Sequence, residues 1–174
     1  GRGIGATVAE KFTAEGFHSH LCRRTDEKAL KESIEKIQSN GGSASGELIN
    51  AIDEGVIEKT IQFVESTYGP IEVLIYNLGA QSGMKLLNET SLKEFEWGWK
   101  MATQGLFRAA KVLCPIMADR GSGTIIVTSA TAAMRGNKTQ HSHAAAMGGR
   151  RMLCQTLNNE FAEKGIHVAH VVID

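Results

Sequence analysis

A parallel β-sheet enclosed between two layers of helices is predicted by three observations on this 174-residue sequence. Helical and extended apolar spacing alternate five times, the extended runs are apolar on both faces, and a glycine-rich turn, Gly1-Arg2-Gly3-Ile4-Gly5, stands directly before a helical stripe. That pattern is the α/β doubly wound arrangement in a single domain spanning residues 1–174. Linkers of low complexity and internal repeats are both missing from it.

Each element has a local reason. Ile4, Val8 and Phe12 recur at helical spacing up to Gly16, and 17–22 then reads as a short strand. Thr25 is placed to cap the next helix, whose buried stripe is Leu30, Ile34 and Ile37, and Asn40-Gly41-Gly42 ends it. A strand is expected at 45–49. Asp53 is placed to cap a helix carrying Ile57, Ile61 and Val64, which stops at Gly69-Pro70, and 71–77 is an apolar run of strand length. Ser91 with Glu94 forms a capping-box pattern that opens a long helix through Phe95, Trp99, Ala102, Leu106, Ala110, Leu113 and Met117. Gly121 and Gly123 break it. Residues 124–128 form a β-branched run, a second long helix spans about 144–164, Gly165 caps it, and 166–173 is the last strand. Because helix comes first and strand last, the unit is expected to lack an opening strand, one that pairs between the 17–22 and 71–77 strands, and whatever follows Asp174.

Composition excludes several classes of function. Nineteen Lys plus Arg balance nineteen Asp plus Glu, so no basic surplus exists to neutralise nucleic-acid phosphates or an anionic membrane surface. The longest apolar runs fall far short of the roughly 20 residues that a membrane-spanning helix needs. Cys22, Cys114 and Cys154 are odd in number and far apart, which suits buried thiols in a reducing compartment better than disulfides or a metal cluster. His18 with His20, and His167 with His170, have no carboxylate or thiol partner at ligand spacing along the chain, so no metal site is expected.

Four landmarks in order carry a family resemblance: Gly1-Arg2-Gly3-Ile4-Gly5, then Tyr76-Asn77-Leu78-Gly79-Ala80 after a strand, then Thr124 to Ser129 ending another, then Lys164-Gly165-Ile166-His167-Val168 entering the last. Together they resemble the short-chain dehydrogenase/reductase family over essentially the whole chain, which implies a Rossmann-type three-layer α/β/α fold and a nicotinamide dinucleotide. The resemblance matches Gly3 and Gly5 to the last two glycines of the family's phosphate turn, with Arg2 and Ile4 beside them, and Asn77 and Gly79 to its cofactor-flanking segment. A carboxylate after the second strand would select the ribose 2′-hydroxyl and a guanidinium the 2′-phosphate. Arg23 and Arg24 stand there, so NADP(H) is favoured over NAD(H). Asn50 stands where the family often places an aspartate near the adenine.

At the reaction centre the resemblance breaks down. The family moves a hydride to or from a carbonyl carbon while a tyrosine handles the proton, a lysine four residues on lowers that tyrosine's pKa, a serine binds the substrate oxygen and an asparagine supports a proton relay. Ser129 matches the serine. His143 stands at the tyrosine and Met147 at the lysine, or Ser142 and Ala146 in a register one residue shorter, and Ala102 stands at the asparagine. Both tyrosines, Tyr68 and Tyr76, precede Ser129. The resemblance therefore implies an oxidoreductase of low activity with Ser129 and His143 at its centre, or a catalytically silent structural or regulatory subunit. The family's use of the corresponding helices, 91–119 and 144–164 here, implies a homo-oligomer or a subunit of a complex, and the apolar residues spread around the first agree with that.

Overall fold

A computed structural model describes residues 3–79 and 84–173. Arg2, Ala80 and Asp174 therefore lie outside the described residues. The order is α1 (Ile4–Ala14), β1 (His18–Arg23), α2 (Glu27–Ser39), β2 (Ser43–Leu48), α3 (Val56–Thr67), β3 (Val73–Tyr76), α4 (Leu92–Trp99), α5 (Gly105–Arg120), β4 (Gly123–Ser129), α6 (His141–Phe161) and β5 (Ile166–Val172). A π turn at Lys100–Gln104 joins α4 to α5. All pairings are parallel, with β1 against β2 in one sheet and β3, β4 and β5 in that order in a second. Among the described residues the two sheets share no hydrogen bonds.

Burial explains the layers. Leu21 of β1 and Ala44 of β2 pack against Ala9 of α1 and Ile34 and Ile37 of α2 on one face. On the second sheet, Ile125 and Val127 are fully buried against Leu106, Leu113 and Met117 of α5 and Cys154 and Leu157 of α6. Ile57 and Ile61 of α3 join that core. The opposite face, carrying Ile75 and Ile126, is only half-buried, so the expected helix layers are complete on one side of this sheet alone. No described helix is long and apolar enough to cross a membrane.

Several boundaries move for identifiable reasons. Thr25 does not cap α2. Asp26 does, in the left-handed conformation (φ 69°) that aspartate tolerates, with its carboxylate accepting from the Ala29 amide at 3.0 Å. Asp53 does not cap α3 either, because Gly55 takes that position while the Asp53 carboxylate accepts from Asn50 Nδ2 at 2.8 Å. The Ser91 and Glu94 box forms as expected. The second long helix begins at His141 rather than near 144, so His143 lies inside its first turn. Cys114 and Cys154 are buried thiols, whereas Cys22, expected to be buried, is exposed.

Candidate functional site

The carboxyl ends of β3 and β4 and the amino end of α1 converge on Asn77. A Cβ added at Gly5 would sit 3.5 Å from Asn77 Nδ2, an ordinary van der Waals distance, so the start of α1 lies beside this side chain. Gly3 is the α1 N-cap, with no side-chain cap bond and nothing near its Cα that a Cβ would meet, which leaves the first amides of the helix open to an anion. Ile4 opens the helix and is exposed. Across the strands, Thr128 Oγ1 donates to Asn77 Oδ1 at 2.7 Å. Gly79 is exposed just beyond.

At the end of β2, Asn50 has a buried Oδ1 with no hydrogen-bond partner among the described residues, although its Nδ2 donates to the Asp53 carboxylate. An acceptor left unmet indoors is costly, so this oxygen calls for a donor. Its loop is held by Arg108 of α5, which donates to the Ala51 and Asp53 carbonyls at 3.2 and 2.8 Å and forks onto Glu58 at 2.8 and 2.6 Å. That hydrogen-bonded guanidinium holds the Glu58 carboxyl below its usual range. Arg23 and Arg24 are exposed at the end of β1, Arg23 lying 3.6 Å from Asp26.

Ser129 ends β4, 9% exposed, and its hydroxyl contacts Met147 Sδ at 3.7 Å. Met147 therefore occupies the face of α6 that looks at Ser129, and His143, half-buried one turn earlier, lies on the same side of the helix. Ser142 is engaged elsewhere: it is buried and donates to the Glu94 carbonyl at 2.9 Å. Neither phenol reaches this place. Tyr68 is exposed and stacks on His18, and buried Tyr76 donates to the Met101 carbonyl at 2.6 Å, its pKa pushed up to about 12 by burial.

One cation near the strand ends escaped sequence reasoning. Arg150 is 1% exposed and donates to three carbonyls, those of Ala102, Thr128 and Leu78, at 3.1, 2.8 and 2.7 Å, while its guanidinium lies 5.2 Å from the Tyr76 ring centre. It ties the π turn to the ends of β3 and β4. A charged residue among Met147, Cys154 and Leu157 on one helical stripe was the available signal.

His18 and His20 acquire close polar partners, because the β1–β2 register sets His18, His20 and Cys22 opposite Ser43, Ser45 and Glu47. A ligand-forming group of His20, Cys22 and Glu47 results, the only such group among the described residues.

The sequence profile described as short chain dehydrogenase matches residues 1–173. Among curated proteins, the chain is 28% identical over 169 residues to a 3-oxoacyl-acyl-carrier-protein reductase of Salmonella typhimurium, covering 96% of this chain and 66% of that protein. It is also 28% identical over 166 residues to a tropinone reductase homolog of Arabidopsis thaliana, covering 95% and 62%. The chain thus spans less than two thirds of the length of these relatives. Among solved structures, a short-chain dehydrogenase from Rhodopseudomonas palustris superposes with a TM-score of 0.93 at 33% identity, over 98% of this chain and 79% of that one. A short-chain dehydrogenase from Streptomyces avermitilis shares the fold, with a TM-score of 0.89 at 24% identity over 98% and 62%.

Proposed function

We propose, for a chain that belongs to the short chain dehydrogenase family, that it binds NADP(H) in preference to NAD(H) and acts on a small carbonyl or alcohol with a depleted proton-transfer apparatus. The observation that carries this reading is the approach of Gly5 to Asn77 beside the ends of β3 and β4, which supports a dinucleotide seat in the crevice where such folds bind ligands. Gly3, Ile4 and Gly5, with Arg2 beside them, would hold the pyrophosphate. Asn50 would take the adenine, Asn77 and Gly79 would flank the cofactor, and Arg23 and Arg24 would meet a 2′-phosphate.

The nicotinamide supplies or accepts a hydride when bound. Ser129 orients the substrate oxygen, turning its hydroxyl from the Met147 thioether to do so, and His143 gives or takes the proton at its imidazole. A thioether carries no charge, so nothing at position 147 lowers the pKa of a neighbouring acid as a lysine would. Loss of a well-matched general acid costs about 10² to 10⁴ in rate, and slow turnover is expected.

Titration of nicotinamide fluorescence tests the cofactor assignment. NADPH is expected to bind more tightly than NADH, and Arg23→Ala to weaken NADPH about tenfold, roughly 1.4 kcal/mol, while leaving NADH little changed. Equal affinities, or equal losses in the variant, contradict it. A second reading, a catalytically silent structural or regulatory subunit, is favoured by Met147 seated against Ser129. It predicts saturable NADPH binding without turnover across a panel of aldehydes, ketones and quinones.

A further inference from the structure

We propose that His20, Cys22 and Glu47 form a binding site for a thiophilic divalent cation of the zinc class, bridging β1 to β2 with one coordination position open to water. The donor atoms, an imidazole nitrogen, a thiol sulfur and a carboxylate oxygen, all lie within 4.8 Å of one another. Tetrahedral zinc at its usual bond lengths of about 2.0 to 2.3 Å sets its ligands roughly 3.3 to 3.7 Å apart. His20 Nε2 and Glu47 Oε1 are already 3.4 Å apart, long for a hydrogen bond and right for two ligands of one ion. Cys22 stands opposite Glu47 in the parallel register, which brings its sulfur within 4.8 Å of the other two donor atoms.

The surroundings match those of a metal centre. His20 Nδ1 is 2.8 Å from Ser45 Oγ, which fixes the ring and leaves Nε2 directed at Glu47. Thr60 donates to Glu47 Oε1 at 2.9 Å and orients that carboxylate. The rings of Phe63 and Tyr68 lie 6.1 and 5.9 Å from His20 and wall off one side. A groove of about 410 Å³ runs past Glu47, Asn50 and Lys59. One nitrogen, one sulfur and one oxygen donor favour zinc over magnesium or calcium, which prefer oxygen alone.

The test uses cobalt(II) as a spectroscopic probe on the folded protein without nucleotide, so its outcome is independent of the dinucleotide reading. One equivalent of cobalt is expected to give the near-ultraviolet charge-transfer band of a thiolate complex with the visible bands of four-coordination, and zinc to displace it. Cys22→Ser is expected to abolish the charge-transfer band, Glu47→Gln to weaken cobalt binding at least tenfold, and Ser45→Ala to weaken it about 10- to 100-fold. Cys114→Ser leaves the band unchanged. Absence of the band from wild-type protein that is folded by circular dichroism overturns the proposal, as does a band that survives Cys22→Ser or a cobalt affinity unchanged in Glu47→Gln.

Discussion

Arg150 shows how one side chain organises the candidate site. Its guanidinium satisfies three carbonyls from three separate segments, and burial lowers its pKa from the usual arginine value without making it a practical acid. Replacing it with methionine keeps much of the volume and leaves three buried acceptors unmet. Arg150→Met is expected to lose on the order of 3 to 5 kcal/mol of stability in urea unfolding, and a loss under 1 kcal/mol contradicts this role. The partners come from residues 22 to 72 positions away, so no local spacing announced them. Ser129 was legible because its place at a strand end is local.

His170 carries a second prediction at this scale. Burial first, then Arg151 and Arg150, lowers its pKa below 6.5, and its Nε2 is buried with no hydrogen-bond partner among the described residues. The unfolded chain therefore takes up a proton more readily than the native one. The native state has its full stability above pH 6.5 and loses it as the pH falls through the lowered native value. Melting temperature is expected to drop between pH 7 and 5, less steeply in His170→Gln. Identical slopes count against it.

At the scale of elements, the π turn between α4 and α5 is the clearest departure from sequence expectation, which read a single continuous helix. Two of its carbonyls are taken up from outside the helix, Met101 by the Tyr76 phenol and Ala102 by Arg150. Such a turn forms where tertiary donors reward the widened backbone, so helical periodicity could not show it. The capping box at Ser91 was readable because both its bonds lie within four residues. The α2 and α3 caps were missed because left-handed backbone at Asp26 and Gly55 chooses the boundary. Gly105 follows the π turn, and a Cβ there would collide with Tyr76 Oη. Gly105→Ala is expected to cost about 1 to 3 kcal/mol in thermal unfolding, partly recovered in Gly105→Ala with Tyr76→Phe. A neutral single variant contradicts that packing.

At the scale of the molecule, β1 with β2 and β3 with β4 and β5 are separately paired sheets joined through α3, α5 and the Arg108 clamp. Exposed Leu92, Phe95 and Trp99 lie along one face of α4 with Phe107 beyond, an apolar surface. The parallel order of strands and helices was legible because alternation is a property of the whole chain. The meeting of His20, Cys22 and Glu47 was not, since strand register across 25 residues creates it.

We propose that a nucleotide seat persists while the groups that relay a proton beside Ser129 have been replaced. Steady-state NADPH oxidation, compared between the parent and His143→Tyr with Met147→Lys at matched cofactor saturation, tests it most directly. A rise of about 10² or more in the double variant is the predicted result. A parent that already turns over as fast as the variant would show that the residues now present perform the chemistry unaided.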